Sequence, residues 1–270
     1  MKDSVLMTVY NRPHLALLNT LTALGKNDLT ETEIVIVDDG SSVDYSAIQE
    51  AYAALPIKWV RVDTAVDRPG SYSIDGYNNP SYAWNCALAA ASGETVHIIS
   101  SDTLLPPHAL ASARKRMLNK VVYCGMVVDM DTAAEYLGSQ RVAPLGWFLS
   151  TTKTQLTKIA DANGHVWDEG YLQGLAFEDN DFTARLALSV GRVVVDLSVC
   201  CWHQSHPQLA YSDDMKGWKA NEAYTLKKWG GIPWSNKKWH TGHADPLAAM
   251  SVTTVGHLLH VDLAEVLVKA

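Results

Sequence analysis

The sequence contains no stretch of about 18 uncharged apolar residues, so no segment qualifies as a membrane-spanning helix. Nor does its start, MKDSVLMTVYNRPH, hold an apolar run followed by a small-residue cleavage site; the expected location is cytoplasmic, with no stable membrane insertion. Cysteine is scarce. Cys86, Cys124, Cys200 and Cys201 lie among apolar neighbours without CxxC spacing, which argues against a thiol redox motif or a zinc ribbon and for buried free thiols. Positive charge is in deficit, 22 Lys and Arg against 29 Asp and Glu, for a formal charge of −7. That balance excludes a general positive field for DNA or anionic membranes, while a local basic groove inside an acidic envelope remains compatible with it. Internal repeats, low-complexity tracts and clear linkers are also missing. What is present is 270 residues, 47% hydrophobic and 19% charged, enough for a real core without disulfide or zinc staples.

The first two thirds alternate short β-branched runs with amphipathic stretches, the pattern of strands covered by helices in an α/β sheet. Residues 4–10, 33–38, 57–62 and 95–100 are expected as strands, followed by KVVYCGMVV. Pro13 suits the first turn of a helix that Gly25 ends, AIQEAYAAL and residues 81–92 continue as helices, and another runs from Pro106 or Pro107 to Leu118. Residues 63–80, rich in Asp, Arg, Pro, Gly, Ser, Tyr and Asn, form a long loop on the same sheet edge as the earlier turns, and loops of that length in compact domains are usually functional or mobile. Beyond residue 129 the pattern weakens. A strand is expected near Trp147 and a helix over 153–160. EDNDFTARLALSVG then reads as a helix with three carboxylates in its first turn, and RVVVDL and VCCW as two short strands.

Carboxylates at the C-terminal ends of parallel strands lie where open α/β sheets bind ligands. VDDGS (37–41) puts Asp38 and Asp39 there, and SSDT (100–103) adds Asp102. VDDGS alone is equally a turn that needs Asp and Gly for its backbone. Two acidic strand ends in one sheet favour a divalent cation held with phosphate oxygens, because magnesium or manganese takes one or two protein carboxylates and leaves its other positions to substrate and water.

TVYNR (8–12), VDDGS, SYAWNCALAAASGETVHIISSDT (81–103), FEDNDFTARL (177–186) and CWHQSHP (201–207), in that order, resemble the signature segments of family 2 glycosyltransferases of the GT-A fold. The later part is most similar to polysaccharide-polymerase and galactosyltransferase-type members, and the resemblance covers roughly residues 4–230. It implies an α/β, Rossmann-like, mostly parallel central sheet flanked by helices over residues 1–230; the late tryptophans, Trp202, Trp218, Trp229, Trp234 and Trp239, point to a helical, Trp-rich C-terminal elaboration, and residues 231–270 are expected as an extension packed on the same domain. The resemblance further implies that Thr8, Tyr10 and Asp39 line the nucleotide pocket, Asp39 on the uridine or ribose. Asp102 would be the metal-binding carboxylate of the DxD motif, and His203 would complete a Mn2+ or Mg2+ site. Asp179 would be the catalytic base, with Glu178 beside it contacting acceptor or sugar. The implied reaction is metal-dependent single displacement, with inversion at the anomeric carbon, from a nucleotide-sugar donor of the UDP type to an acceptor hydroxyl. Two positions depart from the family pattern. Ser100 stands in place of the first DxD acid, which weakens the expected metal affinity, and Trp84 stands where Arg usually precedes Asn85, leaving Arg68 in the long loop as the substitute cation.

The rivals are an NDP-sugar nucleotidyltransferase and a catalytically inactive nucleotide- or sugar-binding module. The first would carry a Gly-rich phosphate loop and a Lys where this chain reads TVYNRPH. Retention of Asp179 and His203 argues against the second. The acceptor stays open among a glycan, a small molecule, a protein and a modified nucleic-acid base, the last disfavoured by the net charge. His206 is the alternative ligand to His203, whereas the pairs 240/243 and 257/260 lack companion ligands and are expected to be solvated or packed. WGGIPW (229–234) is either an acceptor lid with a glycine hinge or, with Trp218 and Trp229, the continuation of a core-facing helix, which Asp213 and Asp214 would cap. Asp181 is expected to pair with Arg185 at i+4.

Overall fold

The computed structural model describes residues 2–70, 79–117, 121–139, 142–205, 216–235, 243–263 and 266. Strands β1 (Asp3–Val9) and β2 (Thr32–Asp39) are buried along nearly their whole length, as expected of parallel strands covered on both faces, and β3 (Ile57–Val62) lies outside them. Helix α1 (His14–Leu24) follows Pro13, whose φ of −54° suits a helix entry, and ends at Gly25; the short α2 (Ser46–Ala51) links β2 to β3. The long loop opens with a single helical turn, α3 (Thr64–Asp67), because the Asp63 carboxylate accepts from the N–H groups of Ala65 and Val66. Residues 71–78 of that loop lie outside the described residues. Next come α4 (Ser81–Ala90), β4 (Thr95–Ile99), β5 (Thr103–Leu104), α5 (Ala109–Met117), β6 (Val122–Asp129), β7 (Glu135–Leu137), β8 (Phe148–Thr152) and α6 (Lys153–Lys158). The chain continues through α7 (Glu178–Val190), β9 (Arg192–His203), α8 (Lys216–Trp229), β10 (Ser251–Val255) and β11 (Leu258–Asp262).

Among the described residues these strands form one sheet in the order β10-β11-β9-β6-β8-β4-β1-β2-β3, with β5 on β9 and β7 on β6. β3, β2, β1 and β4 run parallel. β8 is antiparallel to both β4 and β6, which returns β6 to the common direction, and β9 is parallel to β6. The C-terminal ends of β1, β2, β4, β6 and β9 therefore share one edge, the ligand-binding edge of such sheets.

Two features differ from the sequence reading. RVVVDL and VCCW are one strand: β6 pairs Gly125 with Asp196 but Met126 with Cys200, so residues 197–199 bulge while both flanks stay on β6. The C-terminal elaboration is not wholly helical. α8 is the expected Trp-bearing helix, but residues 251–262 fold as a hairpin whose inner strand, β11, pairs antiparallel with β9 and covers an edge that would otherwise be exposed.

α8 clamps the segment leading into α7. A Cβ on Gly174 would lie 2.1 Å from the Gly217 carbonyl oxygen, so only glycine allows this approach. Asn221 donates to the carbonyls of Tyr171 and Ala176 at 3.0 and 2.9 Å. Trp218 packs edge-on against Phe177, Trp229 donates its indole N–H to Asp181, and Ile232 and Trp234 are buried. These aromatic residues brace α7 rather than forming the tips of an exposed lid; Trp239, His240, Asp213 and Asp214 lie outside the described residues. The four cysteines are free, Cys124 and Cys201 buried and Cys86 and Cys200 partly so. No helix among the described residues is long and apolar enough to cross a membrane.

Candidate active site

At one end of the edge, β1 and β2 bring Thr8, Tyr10 and Asp39 together. Thr8 is in register with Val37, and Tyr10 follows the strand. Asp39 is 2% exposed, and its carboxylate accepts from the Thr64 backbone N–H at 2.7 Å and from the Thr64 hydroxyl at 2.8 and 2.7 Å. Burial raises its pKa against those bonds, and the charges of Asp63 and Asp38 add to the rise. The Tyr10 phenol is pushed up by burial and by the charges of Asp39 and Asp63, its neighbours. Asp38 turns to the opposite face, where it pairs with Arg61 and accepts from the Ser41 N–H.

Arg68 stands at this end too, with Nε 2.7 Å from Glu169 and its guanidinium 4.1 Å over the Tyr82 ring. Asn85 donates to the same Glu169 and accepts from the N–H groups of Val166 and Trp167. Trp84 stacks on Trp167 at 5.6 Å, and Trp167 on Phe182 at 4.3 Å. The residue that replaces the family's usual arginine is therefore part of the α4–α7 packing.

In the middle, Asp102 is 3% exposed. Ser100 donates to its Oδ1 at 2.5 Å, and Arg12 places Nη1 2.9 Å from its Oδ2. His203 Nε2 faces that same Oδ2 at 3.7 Å, while its Nδ1 faces Asp129 Oδ2 at 3.9 Å. The strand registers explain the meeting, since His203 lies opposite Thr103 on β5 and opposite Asp129 on β6. Gln204 then ties the end of β9 to α1 through the Ala16 carbonyl and the Thr20 hydroxyl. Neither Arg12 nor Asp129 is among the candidates that the sequence motifs single out. Both carried a signal, Arg12 as a cation just past β1 on the ligand edge and Asp129 as another acid ending a strand. His206 lies outside the described residues. Among the described residues no group of three or more His, Cys, Asp and Glu side chains could hold a metal ion.

The third group opens α7. Ala176 and Phe177 both have left-handed backbone, φ 65° and 70°, which non-glycine residues adopt only where their surroundings hold them. Here Asn221 and the Trp218 ring do so. The turn presents Glu178 and Asp179 in the first turn of the helix. Glu178 accepts from Asn79 at 3.0 Å, and Asn79, almost fully buried at the end of the long loop, also caps α4 through Ser81. Asp179 accepts from the Asn180 N–H. Asp181 is buried in the expected i+4 pair with Arg185, and is held as well by Lys228 and Trp229. Of the other histidines, His243 pairs with Glu222, and His257 and His260 sit on the β10–β11 hairpin, where their spacing does not share a helical face.

Burial, then the neighbouring Asp179 charge, pushes the Glu178 carboxyl from about 4.5 up to about 8. With the folded pKa raised, the unfolded chain binds fewer protons than the native one between these values. Glu178 therefore costs no stability below about 4.5, and stability falls as pH rises toward about 8. The slope is at most about 1.4 kcal/mol per pH unit for one proton. Glu178→Gln, which keeps an acceptor for Asn79, is expected to flatten that decline and to be the more stable protein at pH 8. Thermal midpoints of both proteins from pH 5 to 9 test this, and parallel profiles would count against it.

A mostly parallel sheet flanked by helices, with carboxylates on one strand-end edge, is the architecture of a GT-A fold. The model of glycosyl transferase family 2 matches residues 4–167, and the chain belongs to that family. The match stops short of the Glu178–Asp179 and His203 segments. Similar solved structures include S. aureus TarS 1–349 in complex with UDP-GlcNAc, with TM-score 0.61, 20% identity, and coverage of 84% of this chain and 66% of that one. The longer S. aureus TarS has TM-score 0.58, 22% identity and coverage of 84% and 40%. The mannosyltransferase PcManGT from Pyrobaculum calidifontis, in complex with GDP-Man and Mn2+, has TM-score 0.56, 17% identity and coverage of 85% and 63%. At these identities the likeness is one of fold, and the chain spans at most about two thirds of these relatives' length. No curated protein matches the sequence significantly.

Proposed function

We propose that the chain transfers a sugar from a UDP-sugar to an acceptor hydroxyl, with inversion at the anomeric carbon and with the help of Mn2+ or Mg2+. The observation that carries the reading is the Asp102–His203 pair on the ligand edge of the sheet. The separation of 3.7 Å between Asp102 Oδ2 and His203 Nε2 is wider than a hydrogen bond. Two neighbouring ligands of an octahedral ion with bonds of about 2.1 Å lie about 3.0 Å apart, so the pair would close by about 0.7 Å on binding, and an ion with so few protein ligands completes its shell from phosphate oxygens and water. Such an ion would stabilise the charge of the departing nucleoside diphosphate.

The side chains divide the remaining work. Asp179 takes the proton of the acceptor hydroxyl as its oxygen bonds to the anomeric carbon and the bond from that carbon to the diphosphate oxygen breaks. Burial and the charge of Asp179 raise the Glu178 carboxyl, so the pair resists carrying two full negative charges. Thr8, Tyr10 and Asp39 face the nucleoside, and Arg12 and Arg68 supply positive charge toward the phosphates.

A UDP-sugar with Mn2+ is expected to stabilise the fold by about 2.7 kcal/mol at one hundred times its Kd. Asp39→Asn, which retains an acceptor for Thr64, is expected to abolish most of that gain. Thermal-shift measurements with UDP-, GDP- and CMP-sugars test the donor, and equal stabilisation by all three would overturn the uridine assignment.

A further inference from the structure

The imidazole of His203 lies between two carboxylates, and only one of them, Asp102, has a place in the proposed chemistry. We infer that Asp129, together with Tyr136, is a positioning residue that holds the His203 proton on Nδ1 and turns the Nε2 lone pair toward Asp102. The consequence for metal binding rests on the proposed function, whereas the placement of the proton does not.

The juxtaposition is built into the backbone, because Asp129 and His203 are partners in the parallel ladder of β6 and β9, and the Met130 N–H donates to the His203 carbonyl at 3.0 Å. The Asp129 carboxylate has two differently occupied oxygens. Oδ1 accepts from the Asp131 N–H at 3.1 Å, and from the Thr132 N–H and hydroxyl at 2.8 Å each. Oδ2 accepts from the Tyr136 hydroxyl at 3.0 Å and faces His203 Nδ1 at 3.9 Å. The four bonds from Asp131, Thr132 and Tyr136 fix the orientation of the carboxylate and leave Oδ2 as the oxygen turned to the imidazole. The Tyr136 ring meets the imidazole edge to face, 5.2 Å between centroids at 84°, and its other side stacks on Trp147 at 5.1 Å. One residue thus sets the plane of the ring and the other the polarity of its Nδ1 side. At 3.9 Å Asp129 acts on Nδ1 through its charge rather than through a hydrogen bond, and a carboxylate beside the far nitrogen of a metal-ligating histidine favours the tautomer that turns the N–H toward it and raises ligand basicity.

A role confined to capping the 129–132 turn would use only Oδ1, and Asp129→Asn separates the two roles. Its amide oxygen keeps the three donors at the Oδ1 position. Its NH2 then occupies the Oδ2 position, where the Tyr136 hydroxyl can accept, and presents a donor to Nδ1. That favours the proton on Nε2, where it blocks the lone pair.

The test combines two readouts without turnover: the His203 tautomer by long-range 1H–15N NMR on metal-free protein, assigned by loss of the signal in His203→Gln, and Mn2+ affinity by electron paramagnetic resonance of the free ion. The inference expects an Nδ1–H imidazole in the wild type, a move toward Nε2–H in Asp129→Asn, and Mn2+ binding weakened about 10- to 100-fold. A wild-type imidazole protonated on Nε2 overturns it without any variant, and so does a folded Asp129→Asn with an unchanged tautomer. If the tautomer moves as expected but Mn2+ binding is absent from the wild type or indifferent to the move, positioning by Asp129 stands and the metal reading of Asp102 and His203 fails.

Discussion

Asp179→Asn is expected to lower sugar transfer by about 10²–10⁴-fold while leaving donor binding nearly intact. Asp179 lies in the first turn of α7, where the helix dipole and the Asn180 N–H favour its charged form. Its neighbour Glu178 is pushed toward its protonated form, so the pair does not confront two full charges. An amide at position 179 preserves size and the acceptor for Asn180 but cannot take a proton from a hydroxyl. If the acids merely close a helix end, the substitution costs about 1 kcal/mol of stability and leaves transfer alone. The measurement is the initial rate of transfer by a folded variant whose donor-induced thermal shift is normal, and near-normal transfer removes Asp179 from the mechanism. Asp181→Asn is the control. That residue is buried against Arg185, Lys228 and Trp229, so its loss is expected in stability, by about 3–5 kcal/mol, rather than in turnover of the folded fraction. An equal turnover loss for both variants would show that the base had been assigned to the wrong acid.

Excess chelator is expected to reduce transfer by about three orders of magnitude, since a Lewis acid on the departing phosphates contributes several kcal/mol to the transition state. Asp102→Asn and His203→Ala are expected to raise the Mn2+ concentration needed for half-maximal rate, each by at least about tenfold. His243→Ala, whose partner is Glu222 on α8, is expected to leave it unchanged. A manganese titration of the three variants distinguishes a bound ion from a general charge effect, because Arg12 already neutralises part of Asp102. Full activity in chelator would remove the ion from the mechanism and leave Arg12 and Arg68 as the charges available to the leaving group.

Much of the fold was legible because its signals are local. β1, β2, β3 and β4 are β-branched runs, Pro13 and Gly25 bracket α1, and the acids at the ends of β2 and β4 follow directly from where those runs stop. The candidate residues Asp39, Asp102, Asp179 and His203 were likewise visible as chemistry at element ends. Their partners were not. Thr64 on Asp39, Asn79 on Glu178, Arg12 on Asp102 and Asp129 beside His203 come from distant segments, and a single sequence does not say which strand lies next to which. The same limit hid the continuity of β9 across its bulge and the hairpin at 251–262, since a bulge and an edge pairing exist only relative to the neighbouring strand. Local periodicity and turn chemistry thus determined the elements and the kinds of side chain at their ends. Strand order and register, which depend on burying all the elements at once, decided which of those side chains face one another and so which nitrogen of His203 faces Asp102.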